Sequence, residues 1–342
     1  MRPSPVLQWP RERTFILFKL GEERYSWKGL VWLLGLYTFG LLFAAIVSPL
    51  VYILIQDIAS HHPNGIAAYV EEKGLSQTFD RMRWFWYLLA VPFLLCKCGF
   101  FSHQGLGVSL NGINRSNCYY AFTIGCLTII TIAFVQNLSL GNQARLLVSD
   151  GSLLSLVVTT LIFALFSGLI LSIVEEVLLR GVLFRLFYTA LTPFAAAVIS
   201  ALLFAALHFK DIPSFVWDDD MTVSLSSSFT IAGGTIVSIF YTWEPTTFFN
   251  LFLVGLILNL LFLRTKSLWP CIALHASWVT TLRLYKEFFN VRETWMGSEA
   301  IIDGWLTTLV LSFLALFLIA ALSRYYYAKA SIEVQNPVSS RY

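Results

Sequence analysis

Long apolar runs recur along the chain, separated by short polar and charged stretches. A bilayer core needs about 20 apolar residues of helix. By that measure the pattern predicts about eight spans, at 30–56, 84–101, 118–136, 152–174, 193–208, 247–263, 268–288 and 303–323. The expected fold class is all-α, a polytopic transmembrane helix bundle. Residues 177–190 continue the fourth span as a partly polar helical extension. Residues 228–243 are apolar but short and contain Gly233-Gly234, which predicts a re-entrant or interfacial piece. The organisation expected is a polar N-terminal segment (1–28), a membrane domain (29–324) and a polar tail (325–342), with no internal repeat.

Composition supports lipid as the solvent. Hydrophobic residues make up 57% of the chain and charged residues 13%, against about 25% charged in soluble domains. The net charge of +3 is diffuse, and no basic run suggests a nucleic acid partner. No short apolar core followed by small residues marks a cleavable leader, so the first apolar segment is expected to act as an uncleaved signal-anchor. Arg2, Arg11, Arg13, Lys19, Arg24 and Lys28 favour a cytoplasmic N-terminus. Alternating from there puts Arg180, Arg185, Arg264, Lys266, Arg324 and Lys329 inside, with both termini cytoplasmic. It puts the acidic loop with Asp211 and Asp218–Asp220 outside, where a solvated loop is a simpler reading than a cation site. The expected location is a bacterial inner (plasma) membrane. Cys96, Cys98, Cys118, Cys126 and Cys271 lie in or beside apolar segments and read as small buried side chains.

The informative residues are those that are costly to bury. A charge at bilayer depth costs several kcal/mol, so it usually faces a cavity or a partner. The fourth span ends in SIVEEVLLRG, with Glu175 and Glu176 where the apolar run should continue. Arg180 follows Glu176 at i+4, on the same helix face, which permits an ion pair. Glu175 points about 100° away. One carboxylate can therefore be neutralised locally while the other is left for chemistry. The bland alternative is an interfacial charge cluster that closes the span, with Arg180 and Arg185 as anchors.

Two histidines tip the balance. His61, His62 and His103 sit in polar stretches or at a span end. His208 closes ISALLFAALHF, and His275 lies inside LWPCIALHASWV. Either alone reads as a satisfied core residue. With the spare Glu175 they form a candidate constellation drawn from three spans. On the predicted topology Glu175 lies towards the inner end of its span. His275 lies about 10 Å deep at 1.5 Å per residue, but His208 falls near the outer end of its own span unless that span is tilted or recessed.

These residues resemble a known family. Glu175-Glu176-Val-Leu-Leu-Arg180 is similar to the EExxxR motif of the CPBP family (CAAX proteases and bacteriocin-processing enzymes), also called glutamic intramembrane proteases. Phe204-Ala-Ala-Leu-His208 is similar to its FxxxH motif. Residues 255–275, with an RTxSL turn, resemble the third region, which leads to a His. The resemblance covers about residues 150–285. One position departs: the family carries Asn or Asp four residues after that His, and here stands Val279. Asn259, Ser277 and Thr280 are the candidate replacements.

The resemblance implies an intramembrane endopeptidase acting on a membrane-associated peptide or protein. Glu175 would be the general base and His208 would orient the water. His275 would donate to the oxyanion, while Glu176 and Arg180 support the site. No cofactor is expected. Zinc is the alternative, since two His and a Glu are a ligand set used by catalytic zinc, but no HExxH or other close ligand pair is present. Two other function classes compete. One is an inactive relative serving as a membrane scaffold or peptide-immunity factor, which Val279 favours. The other is a proton-coupled transporter, which lacks the paired broken helices of an inverted repeat.

Overall fold

Apolar runs this long in a medium without water must satisfy their backbone groups internally, and helices do so residue by residue. The computed structural model describes residues 28–62, 65, 74–97, 115–139, 145–146, 153–209, 223–241, 244–290 and 305–335. Within them lie α1 (Lys28–His61), α2 (Gly74–Lys97), α3 (Arg115–Ser139), α4 (Leu153–Glu176) and a π-helical segment (Val177–Leu183). There follow α5 (Phe184–Ala190), α6 (Pro193–Ala206), α7 (Leu225–Tyr241), α8 (Pro245–Thr265), α9 (Leu268–Phe288) and α10 (Trp305–Gln335). The only ladder among the described residues is a two-residue antiparallel bridge, Arg145–Leu146 with Phe289–Asn290. The protein is an all-α, polytopic membrane protein. Among the described residues four stretches are long and apolar enough to cross a bilayer: Leu34–His61, Arg115–Val135, Val157–Tyr188 and Pro245–Thr265.

The helices fall close to the expected spans, with two differences. The segment expected to be re-entrant or interfacial is one unbroken helix, α7, of 17 residues. Gly233 does not break it, and Ile231, Ala232, Thr235 and Ser238 on it are buried. At 1.5 Å per residue its length is about 25 Å, short of the ~30 Å hydrocarbon core. Burial of one face against other helices overrides the helix-weakening glycine pair. Further along, α10 runs on to Gln335, through residues read as the start of the tail. The Asp211–Asp220 loop, His103 and the N-terminal segment up to Trp27 lie outside the described residues.

The helices form two compact units. In the first, residues 102–204 and 246–342, α9 packs against α3 and α4, and α10 joins α3. Small residues set the approach. A Cβ on Gly125 of α3 would overlap the Ser277 hydroxyl of α9, and one on Gly168 of α4 would lie 2.6 Å from Thr280 Oγ1. The short α8–α9 turn is held by Lys266 in the left-handed region (φ 56°), with its N–H donating to Phe262 O at 2.8 Å. Ser267 then caps α9, its Oγ accepting from the Trp269 N–H at 3.4 Å.

In the second unit, residues 14–101 and 205–245, α1 packs against α2 and α7. Its core holds Leu41, Ala44, Ala45, Tyr52, Leu75, Phe79, Ile231 and Ala232. A buried Ser48–Ser228 hydroxyl pair joins α1 to α7 at 3.2 Å.

Candidate active site

Helical phase decides the fates of the two carboxylates at the end of α4. Glu176 is fully buried, and its Oε1 accepts from Arg180 Nη1 at 2.8 Å. The local ion pair expected from the i+4 spacing is therefore present. Glu175, one residue earlier, keeps a side chain 20% exposed. A fully buried carboxylate beside a partly exposed one is the arrangement that the phase difference predicts.

The chain leaves Glu176 through the π-helical segment, in which the Phe184 N–H donates to Leu179 O. Such widened turns are rare and often mark functional sites. Arg180 occupies the middle of it at 1% exposure. Arg180 Nη2 donates to Gly255 O at 3.3 Å, and its guanidinium lies 5.1 Å from the centroid of the Phe204 ring. A helix-interior carbonyl and an aromatic face thus complete the cation's surroundings. Gly255 makes this possible by its size, since a Cβ there would lie 3.1 Å from both Ala201 Cα and Phe204 Cδ1. A Cβ at this position would push α8 and α6 apart by a few tenths of an ångström. Arg185 is buried too, at 7% exposure, with its guanidinium 5.7 Å from the Phe262 ring. Both arginine side chains are packed inside the protein.

The histidine of α9 arrives at both carboxylates. His275 Nδ1 lies 2.9 Å from Glu176 Oε1, and His275 Nε2 lies 3.8 Å from Glu175 Oε2. The imidazole itself is buried. Glu175 Oε2 and Glu176 Oε2 are buried and hydrogen-bond to nothing among the described residues. Cys271, one turn before His275, is fully buried and its thiol donates to Leu258 O at 3.5 Å.

The other sequence candidates make contacts of their own. His208 is exposed in the turn that closes α6; its N–H donates to Ala205 O at 3.1 Å, and it belongs to the second unit. Val279 is half-buried and one helical turn after His275, so it shares that face of α9. Each of the three candidate replacements already donates to a backbone carbonyl. Ser277 Oγ donates to Leu274 O at 2.6 Å, next to Gly125. Thr280 Oγ1 donates to Ala164 O at 3.3 Å. Asn259 Nδ2 donates to Ala197 O at 2.9 Å.

Sequence reasoning passed over Gly255, whose carbonyl meets Arg180, and Ser172, a fully buried hydroxyl one turn before Glu176. A serine in an otherwise apolar run was the one available signal for Ser172. Among the described residues no group of three or more His, Cys, Asp or Glu side chains is arranged to hold a metal ion.

Residues 156–281 match the family described as Rce1-like, type II CAAX prenyl endopeptidase Rce1-like. The matched segment holds all three motifs and is similar to the Rce1-like type of the CPBP family. No curated protein and no solved structure matches the chain.

Proposed function

We propose that this protein is an intramembrane endopeptidase that hydrolyses a peptide bond of a membrane-associated peptide or protein with a water activated by Glu175. The family match supports CAAX-type peptidase chemistry. The observation that carries the assignment to Glu175 is its Oε2 lying 3.8 Å from His275 Nε2, with 20% of the side chain exposed while Glu176 is sealed by Arg180. A general base must be reachable by water, and its neighbour must be neutralised so that two adjacent anions do not compete.

In the proposed step Glu175 takes one proton from water. The water oxygen bonds to the scissile carbonyl carbon, and the carbonyl π pair moves onto its oxygen. Collapse of that tetrahedral species breaks the C–N bond, and the departing nitrogen takes the proton back from Glu175. The products are a carboxylic acid and an amine. Carboxylate and imidazole chemistry suffices for each transfer, so the reading is metal-free.

A second reading follows from Val279. An isopropyl group cannot donate to an oxyanion, and this favours a protein that keeps the family scaffold to bind peptides without cleaving them. One experiment separates the two. Purified wild type and Glu175→Gln are incubated with membrane-associated peptides, and products are read by mass spectrometry. The peptidase reading expects new termini from wild type and a loss of about 10²-fold or more in the variant. Equal product from both defeats it, and binding without any product supports the scaffold.

A further inference from the structure

The second unit carries charge at the depth where its helices meet lipid. On α1 the exposed apolar side chains run from Val31 through Leu42, Ile46 and Leu50 to Ile58. At 1.5 Å per residue this stripe is about 40 Å long, enough to cover a ~30 Å hydrocarbon core. Its middle lies near residues 44–46. Beside it α2 runs antiparallel: Trp86 Nε1 donates to Leu36 O at 3.3 Å, and Leu75 shares a core with Tyr52. Residues 80–83 of α2 therefore stand next to residues 43–47 of α1, at mid-depth.

Three charged side chains occupy that level. Asp80 Oδ1 accepts from Arg83 Nη2 at 2.6 Å; Arg83 is buried, while Asp80 stays 45% exposed. Arg81 Nη1 is buried and hydrogen-bonds to nothing among the described residues. Asp80 and Arg83 neutralise one another, so Arg81 is the cation left over. A charge at this depth is costly unless it meets a partner. An arginine stem cannot cover the ~15 Å from there to either headgroup region.

The outward face of α2 indicates the partner. Gln77, Arg81, Trp84 and Leu88 follow the 4-3-4 spacing of a helix–helix seam, with Asp80 at its edge. Gln77, Trp84 and Leu88 are exposed. The seam thus offers an amide, an unmatched cation and a half-exposed carboxylate close together, and polar groups of this kind hold helices together in lipid. Neighbouring residues of opposite charge are complementary to themselves. Two copies inserted in the same orientation, and related by a two-fold axis along the membrane normal, bring Asp80 of each to the depth of Arg81 of the other.

We infer that the protein forms a two-fold dimer through α2, in which Asp80 and Arg81 of the two copies pair reciprocally. Arg83 holds the Asp80 carboxylate in place for that contact. An unrelated partner would need its own matched charges at this depth, whereas a second copy brings them by symmetry.

The test counts copies of the fluorescently tagged full chain in liposomes by single-molecule photobleaching. Wild type should bleach in two steps at dilutions where Arg81→Glu bleaches in one, a loss of about tenfold or more in dimer stability. Asp80→Lys should do the same, because each of its homodimers sets like charges together twice. Mixed with each other, the two variants should co-purify through different affinity tags, since both reciprocal contacts are then attractive again. One-step bleaching of wild type, or Arg81→Glu as dimeric as wild type, overturns the inference. So does failure of the two folded variants to pair. If Asp80→Lys does not fold for want of its contact with Arg83, the wild-type count and Arg81→Glu still decide.

Discussion

Glu176 and His275 are 99 positions apart in the chain, yet Oε1 of one and Nδ1 of the other lie 2.9 Å apart in a buried contact. The oxygen that receives His275 also receives Arg180. Stability and site geometry thus depend on the same atom, and substitutions here should change both.

Removing either member of the buried ion pair leaves the other uncompensated. Glu176→Ala and Arg180→Ala are each expected to destabilise the protein by about 3–5 kcal/mol. Thermal unfolding in detergent checks this. The double variant should lose clearly less than the sum of the two, because the orphan charge is gone. Additive losses would show that the pair is not coupled.

The α3–α9 approach depends on Gly125 opposite Ser277. Gly125→Ala should lower the unfolding temperature, since the added methyl also meets Leu274 O at 3.0 Å and overpacking costs about 1–3 kcal/mol. Ser277→Gly should restore part of the loss in the double variant. Because the Ser277 hydroxyl is engaged by Leu274 O, Ser277→Ala alone should cleave like wild type.

Val279 stands on the His275 face of α9, at the position where the family resemblance leads one to expect an amide or carboxyl group. Val279→Asn should supply a donor for the developing oxyanion. An oxyanion donor is worth about 10²–10³ in rate where it is fully preorganised, so an increase in kcat of about tenfold is the expected outcome for a side chain grafted into an existing site. A rate equal to wild type would mean that another group already serves the oxyanion.

Metal-free chemistry predicts indifference to chelation. Cleavage should proceed at an unchanged rate after dialysis against EDTA and phenanthroline, and elemental analysis should find no stoichiometric zinc. Loss of activity restored by zinc would instead assign Glu175 and the histidines as ligands.

Much of this was legible in the chain. Runs of about 20 apolar residues have one stable solution in lipid, so the helices follow from local chemistry. The separate fates of Glu175 and Glu176 were legible for the same reason, because a step of about 100° per residue is a property of one helix. The Rce1-like segment was recognisable from motifs that each lie within one or two neighbouring elements.

What the sequence could not express is which helix meets which, and at what height. The bridging of both carboxylates by His275, the burial of Arg185, and the carbonyl of Gly255 meeting Arg180 all require a particular packing of α4, α6, α8 and α9. The π-helical turn after Glu176 has no propensity signal, since it is imposed where Arg180 must reach its buried partners. The unbroken course of α7 through Gly233-Gly234 is likewise decided by the faces it buries. Periodicity is local and repeats along the chain; partnership between distant segments is fixed only when close packing selects one arrangement among many of similar composition.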